Sequence, residues 1–137
     1  MMKVLIPIDG SEHSRKALER GLELAEKQGA EVTIMTVAPA AGSILDEMRN
    51  IQEKLTAEYQ GWLDQARAMF AAKGIKVATI LETGLVPANN IIRLAEEEKF
   101  DRIIMGATGM SALGRILMGS TAGKVVANAP CEVTLVR

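Results

Sequence analysis

Cysteine is nearly missing from the sequence, and Cys131 is the only one. A single cysteine can form neither an intramolecular disulfide framework nor a thiolate metal cluster. Because Cys131 follows Pro130 at the start of an apolar run, we expect a small, inert core residue and not a reactive thiol. This cysteine usage favours the reducing environment of the cytoplasm.

An excess of charge of either sign is also missing. The 16 Lys and Arg residues are balanced by 17 Asp and Glu residues, which gives a formal net charge of −1. The chain has no Lys/Arg cluster and therefore lacks the long-range attraction to a phosphate backbone on which most nucleic-acid binding depends. We expect no nucleic-acid partner.

Long hydrophobic runs, repeats and linkers are absent as well. The apolar run at the N-terminus ends at Asp9 and is too short for a signal peptide, and no segment approaches the roughly 20 apolar residues of a membrane span. The remaining composition, with 48% hydrophobic and 24% charged residues, excludes a disordered chain. We expect one domain over residues 1–137, in the cytoplasm and without a membrane partner.

Strand and helix patterns alternate along the chain. Five short apolar or β-branched runs predict strands, and four segments with helically spaced apolar residues predict helices. The predicted strands are 3–8, 31–37, 75–81, 102–105 and 131–136, and the predicted helices run from a cap at Ser11 to Gly29, from Ile44 to Lys73, from Pro87 to before Phe100, and from Ser120 to Asn128.

This alternation predicts an α/β fold, because parallel strands need crossover connections. Since such crossovers are right-handed, we expect an open five-stranded parallel sheet in the order 3-2-1-4-5 with four helices on its two faces, a Rossmann-like arrangement. Ligands of such sheets bind beyond the carboxyl ends of the strands, where the winding direction reverses. The loops after the first and fourth predicted strands are therefore the expected place for a site.

The segment after the fourth predicted strand has the glycine spacing of an anion-binding loop. It runs from Gly106 to Thr121 with the pattern G-x2-G-x9-G-S. Gly106 would let a ligand approach the backbone without an intervening Cβ, and Gly109 can take the positive φ that turns successive N–H groups toward an anion. Gly119 and Ser120 open a helix whose free N–H groups would face the same space. The pattern predicts a phosphate site.

This segment resembles the nucleotide-binding signature G-x2-G-x9-G-[ST] of the universal stress protein family. The similarity covers nearly the whole chain, including Pro7–Ser11, Gly84–Ile91 and Ala129–Val136, and is weakest in residues 40–50 and in the long helix. The resemblance implies a fold like that of the adenine nucleotide alpha hydrolases. It also implies a cytoplasmic stress-response protein that binds ATP, or AMP or ADP, with Mg²⁺ or Mn²⁺ bridging the phosphates.

The resemblance also assigns residues to the site. Pro7, Asp9 and Val37 would surround the adenine and the ribose, with Val37 contributing its backbone. The sugar and phosphates would lie along the glycine segment, at Gly106, Thr108, Gly109, Gly119, Ser120 and Thr121. Thr108 and Met110 stand where many members of the family carry His and Arg. Either Arg115 in the same loop or a bridging Mg²⁺ would then supply the positive charge.

Other interpretations of the same residues are weaker. The segment Gly119–Lys124 has three residues between its glycines and Val125 in place of Ser or Thr, so it does not match a P-loop. His13, the only histidine, falls in the first turn of the first helix, where we expect it to face solvent without a partner for acid–base catalysis. Tyr59 and Trp62 indicate packing on a helix face or an interface.

Three functions are compatible with the sequence: a nucleotide-dependent regulatory or interaction module, a dimeric interaction module that binds no nucleotide, and a slow ATPase. Hydrolysis requires a group that positions water and neutralises charge on the γ-phosphate. The sequence offers only Asp9, Arg115 and a metal, so we assign no catalytic residue and expect slow or absent turnover. The predicted strand Cys131–Val136 lies at a sheet edge, and the resemblance implies a two-fold homodimer through it.

Overall fold

The computed structural model describes residues 1–40, 46–108 and 118–137. Within these ranges a parallel sheet has the strand order β3-β2-β1-β4-β5, which confirms the predicted α/β fold. The predicted start of the second helix at Ile44 lies outside the described residues. The elements are β1 (Lys3–Pro7), α1 (Glu12–Gln28), β2 (Glu31–Pro39), α2 (Asp46–Ala71), β3 (Ala78–Gly84), α3 (Pro87–Glu97), β4 (Arg102–Gly106), α4 (Ser120–Asn128) and β5 (Glu132–Val136).

Helices cover both faces of the sheet, and each face has its own core. Successive residues of a strand point to opposite faces, so Val4 and Ile6 pack with α1 and α2, whereas Leu5 packs with α3 and α4. The two cores include the buried side chains Leu18, Leu63 and Phe70 on the first face and Ile91, Leu94 and Val125 on the second. Because the central strands are buried on both faces, they appear in the sequence as nearly continuous apolar runs.

Local sequence signals set both ends of α1. The Ser11 side chain accepts a hydrogen bond from the N–H of Ser14 at 3.2 Å and caps the helix. Gly29 has a φ of 68° and donates its N–H to the carbonyl of Ala25 at 3.0 Å. Both predicted caps are confirmed, and the first of them starts α1 directly after the loop that follows β1.

Three predicted strand boundaries are wrong by two or three residues. β3 begins at Ala78 and not at Ile75, because the N–H of Ile75 donates to the carbonyl of Phe70 at 3.0 Å and closes the turn that ends α2. At the opposite ends, β2 and β3 continue past their predicted limits to Pro39 and Gly84, which pair in register. The additional pairs extend β2 and β3 at their carboxyl ends. No helix in the described ranges is long and apolar enough to cross a membrane.

Candidate functional site

A cleft of about 360 Å³ opens at the carboxyl edge of the sheet. It includes the ends of β1 and β4, which are neighbours in the sheet. The helix that follows β1 packs on one face and the helix that follows β4 packs on the other, so the winding direction reverses between these strands. Crevices at this position are the usual ligand sites of open parallel sheets, and the volume is that of a small-molecule site.

The structure brings eight of the ten residues predicted for the site into this cleft. Pro7 and Asp9 come from the end of β1 and its loop, and Val37 comes from β2. The other five belong to the glycine segment and are Gly106, Thr108, Gly119, Ser120 and Thr121. Gly109 and Arg115 lie outside the described residues.

The start of α4 offers backbone donors to the cleft. Gly119 is the N-cap residue, and no side chain caps this helix end. In the described part of the chain the N–H groups of Ser120, Thr121 and Ala122 have no acceptor, and all three residues line the cleft. Free N–H groups and the positive end of a helix dipole favour a bound anion.

Two other N–H groups of the glycine segment already have acceptors. The N–H of Ala107 donates to the carbonyl of Val136, and the N–H of Gly119 donates to the carbonyl of Ala107, both at 2.8 Å. These bonds fix the start of α4 against the ends of β4 and β5. Among the described residues, the first turn of α4 therefore offers free N–H groups to a ligand, whereas Ala107 and Gly119 do not.

Gly106 is required for packing and not, as expected from the sequence, for the approach of a ligand. A Cβ at this position would lie 2.7 Å from the Cβ of His13, 2.9 Å from its carbonyl carbon and 3.0 Å from the nitrogen of Ser14. The first turn of α1 therefore occupies the space that a side chain would need. The backbone of Gly106 still lines the cleft.

His13 does not simply face solvent, which corrects another expectation. Its side chain is half-buried, and its Nδ1 lies 2.6 Å from the Oγ1 of Thr108. The tautomer of the imidazole decides which of these atoms donates. This hydrogen bond joins the first turn of α1 to the glycine segment and holds the hydroxyl of a residue that lines the cleft.

Hydrogen bonds also order the end of β1. The Oδ1 of Asp9 accepts from the N–H of Ser11 at 3.0 Å, which orients the carboxylate through a local turn. Thr36, only 1% exposed, donates its hydroxyl to the carbonyl of Ile8 at 2.7 Å. Asp9 is the only acidic side chain among the described residues that line the cleft, and these bonds place it beside the ends of both β1 and β2.

A wall of the cleft formed by α2 and by the loop after β3 was missed from the sequence. Tyr59 lines the cleft from α2, and Leu85, which is 84% exposed, lines it from the loop. Tyr59 also packs on Trp62 with ring centroids 4.3 Å apart, as expected for a helix face. Helical spacing alone does not distinguish a residue that faces a cleft from one that faces the core, so no motif identified this wall.

The described cleft residues form no metal site of their own. Magnesium usually keeps several waters and binds one or two carboxylates together with substrate phosphates. In residues 1–40, 46–108 and 118–137 no group of three or more His, Cys, Asp or Glu side chains is placed to hold a metal. A metal ion in this cleft would therefore take its ligands mainly from the phosphates and from water.

A second hollow, of about 530 Å³, lies between α3 and α4 and away from the loops. Its lining includes Arg93, Glu97 and Lys124, and Arg93 forms an ion pair with Glu97 at 3.1 Å. None of the residues predicted for the site lines it. This hollow contains no strand end and no residue of the first turn of α4.

Fold and cleft together define an open parallel α/β protein with a small-molecule site where its winding direction reverses. A model of the universal stress protein family matches residues 1–137. The chain belongs to this family.

Two curated relatives resemble the chain over nearly its full length. It is 38% identical to universal stress protein MJ0531 of Methanocaldococcus jannaschii over 139 aligned residues, which cover 98% of the chain and 81% of the relative. It is 34% identical to universal stress protein YxiE of Bacillus subtilis, with 98% of each covered.

Solved structures share the fold. Universal stress protein UspA from Lactobacillus plantarum matches with a TM-score of 0.88 at 24% identity, covering 99% of this chain and 97% of that one. A universal stress protein in complex with cAMP matches with a TM-score of 0.68 at 22% identity, covering 99% and 97%. The universal stress protein from Archaeoglobus fulgidus in complex with dAMP matches with a TM-score of 0.71 at 24% identity, covering 100% and 98%.

Proposed function

We propose that the chain binds an adenine nucleotide, as ATP, in the cleft at the carboxyl edge of its sheet. The observation that carries this proposal is the first turn of α4, where three N–H groups without a described acceptor line the same cleft as Asp9. A phosphate group satisfies such donors and interacts favourably with the helix dipole. The family members solved with cAMP and dAMP support an adenine nucleotide as the ligand.

The two sides of the cleft suit different parts of the nucleotide. We propose that Pro7 and the backbone of Val37 contact the adenine and that Asp9 accepts a hydrogen bond from a ribose hydroxyl. The phosphates would then lie along the residues that follow β4, namely Gly106, Thr108, Gly109, Gly119, Ser120 and Thr121, with Arg115 as a further proposed contact. Mg²⁺ or Mn²⁺ bound to the phosphates would reduce their negative charge.

We propose that the bound state, and not catalysis, is the function. Among the described residues that line the cleft Asp9 is the only charged side chain, so no described cation neutralises charge on the γ-phosphate. We therefore propose a cytoplasmic regulatory or interaction module whose partners respond to the nucleotide, with slow or absent hydrolysis. Phosphate release above background in the presence of Mg²⁺ would favour an ATPase instead.

We propose in addition that the chain forms a homodimer through β5. This strand is at the edge of the sheet and pairs with β4 on one side only within the described chain. Unpaired backbone groups of an edge strand are readily covered by a second strand. A second copy related by a two-fold axis would place the two β5 strands antiparallel.

Ser120 allows a test that removes one backbone donor from the cleft. It is the first residue of α4, a position that tolerates proline, so Ser120→Pro deletes the N–H group without breaking the helix. Ser120→Ala is the matched control, because it keeps the N–H group and removes only the hydroxyl. With Mg²⁺ and ATP at a hundredfold excess over Kd, bound nucleotide stabilises the wild-type protein by about 2.7 kcal/mol.

We expect ATP to raise the Tm of the wild-type protein and of Ser120→Ala. Ser120→Pro should bind ATP about tenfold more weakly or worse, since a hydrogen bond to a charged group contributes about 1.5–3 kcal/mol. Equal Tm shifts in the two variants would contradict the assignment of phosphate to α4. If ATP does not raise the Tm of the wild-type protein and the purified protein contains no nucleotide, these results would favour the interaction module that binds no nucleotide.

A further inference from the structure

The cleft contains an aromatic side chain that the glycine segment does not explain. Tyr59, the only tyrosine of the sequence, lines the cleft from α2. Its side chain is half-buried, so part of the ring is available to a ligand. Among the described residues that line the cleft it is the only aromatic one.

The ring of Tyr59 is held in place by a neighbour. Tyr59 and Trp62 have ring centroids 4.3 Å apart and an interplanar angle of 53°. Trp62 packs in turn on the loop after β1, where a Cβ built at Gly10 would lie 2.5 Å from two atoms of the indole. The aromatic pair therefore connects α2 with the loop that carries Asp9, and Tyr59 needs little ordering before it contacts a ligand.

The charge of Asp9 also acts on the phenol of Tyr59. Burial raises the pKa of the Tyr59 phenol, and the negative charges of Glu58 and Asp9 raise it further. The phenol is therefore uncharged at neutral pH, and it lies at the end of the cleft where the carboxylate of Asp9 is found. Since Asp9 is the residue proposed above to contact the ribose, Tyr59 lies near the proposed position of the nucleoside.

We infer that Tyr59 is a nucleoside-contacting residue, whose ring covers the base and ribose of the nucleotide. The inference rests on the proposed function and adds to it a determinant of affinity outside the glycine signature. A base stacks on the face of an aromatic ring. Phenylalanine presents the same face as tyrosine and lacks only the hydroxyl. The ring of Tyr59, and not its hydroxyl, should therefore carry the effect.

Three variants of the full chain test this inference by calorimetric titration with ATP and Mg²⁺. Tyr59→Phe keeps the ring and should bind within about threefold of wild type, whereas Tyr59→Leu should bind about tenfold more weakly or worse. Leu55→Ala is the control, because Leu55 is half-buried one helical turn earlier on the same face of α2 and does not line the cleft. It should leave the Kd unchanged.

A second measurement uses only the wild-type chain. Because Tyr59 is the only tyrosine, nitration by tetranitromethane can be followed on a single peptide. ATP should slow nitration several-fold, and inorganic tripolyphosphate, which lacks a nucleoside, should not. This measurement decides the question even if Tyr59→Leu fails to fold.

The outcomes separate this inference from the proposed function. A raised Kd in Tyr59→Leu together with protection by ATP supports the inference. Three results would overturn the inference and leave the proposed function standing. The Kd for ATP could be unchanged in Tyr59→Leu, Leu55→Ala could weaken binding as much as Tyr59→Leu does, or ATP could fail to slow nitration. A wild-type chain that does not bind ATP would overturn both.

Discussion

At the scale of single residues, the missing side chain of Gly106 decides how closely α1 approaches β4. We expect Gly106→Ala to lower the free energy of unfolding by about 1–3 kcal/mol, because the new Cβ would lie 2.7 Å from that of His13 and 3.0 Å from the nitrogen of Ser14. Urea denaturation measures this change. Gly61→Ala is the control, since nothing lies within 4 Å of its Cβ position, and it should stabilise the protein by up to about 1 kcal/mol. Equal stabilities of wild type and Gly106→Ala would contradict the packing role.

The buried hydroxyl of Thr36 also contributes to stability, through one hydrogen bond. Its hydrogen bond to the carbonyl of Ile8 joins the ends of β2 and β1 beneath the cleft. Thr36→Val keeps the shape and leaves that carbonyl without this donor, so we expect a loss of about 1–2 kcal/mol in the free energy of unfolding. The urea midpoint of the variant measures the loss, and an unchanged midpoint would show that another donor replaces the hydroxyl.

Residues of the candidate site differ in how well the sequence predicts them. Asp9, Gly119 and Ser120 lie in short segments whose residue types belong to strand ends and helix starts, so their common location followed from the predicted order of strands. Tyr59 and Leu85 could not be found in this way. Their contribution depends on how α2 and the loop after β3 sit over the sheet, and this is a tertiary property with no local signal.

At the scale of elements, Glu82 links β3 to α3. Burial alone would raise the pKa of Glu82, but hydrogen bonds from Arg93 and Asn90 outweigh burial and hold the pKa below its usual value of 4.5. The Nδ2 of Asn90 donates to the Oε1 of Glu82 at 2.8 Å, and Arg93 donates to the same oxygen. The loop that includes Leu85 lies between these two elements, so the link helps to fix one wall of the cleft.

This link predicts a pH dependence of stability. A carboxylate whose pKa is lowered by folding contributes stability above its unfolded pKa, and this contribution disappears as the pH falls through the folded value. We expect Arg93→Gln to unfold at a lower urea concentration than wild type at pH 7, and the difference between their midpoints to vanish as the pH falls below about 4.5. A difference of constant size from pH 7 to pH 3 would show that Arg93 acts by packing alone.

The boundaries of elements show where local patterns stop being informative. Ile75 belongs to an apolar stretch that is typical of a strand, but its N–H group ends α2 and the β3 ladder starts only at Ala78. Pro39 lies two residues beyond the predicted end of its strand at Val37 and nevertheless pairs with Gly84. At Ile75 a hydrogen bond to the preceding helix delays the start of the strand, and at Pro39 pairing with β3 extends the strand.

At the scale of the whole molecule, the order of the strands was predictable because few topologies satisfy the rules of right-handed crossovers and helices on both faces. The proposed assembly through β5 also belongs to this scale. We expect sedimentation equilibrium at micromolar concentration to give about twice the chain mass of 14.7 kDa. A mass equal to one chain would contradict the proposed homodimer and would leave the cleft unaffected.

The central claim is that the phosphates of an adenine nucleotide bind at the first turn of α4. Titration of ¹⁵N-labelled protein with ATP and Mg²⁺, followed by the amide resonances, tests it most directly. We expect the amides of Ser120, Thr121 and Ala122 to show the largest saturable shifts. Shifts concentrated instead in the hollow around Arg93 and Lys124, or no saturable shift at α4, would contradict it.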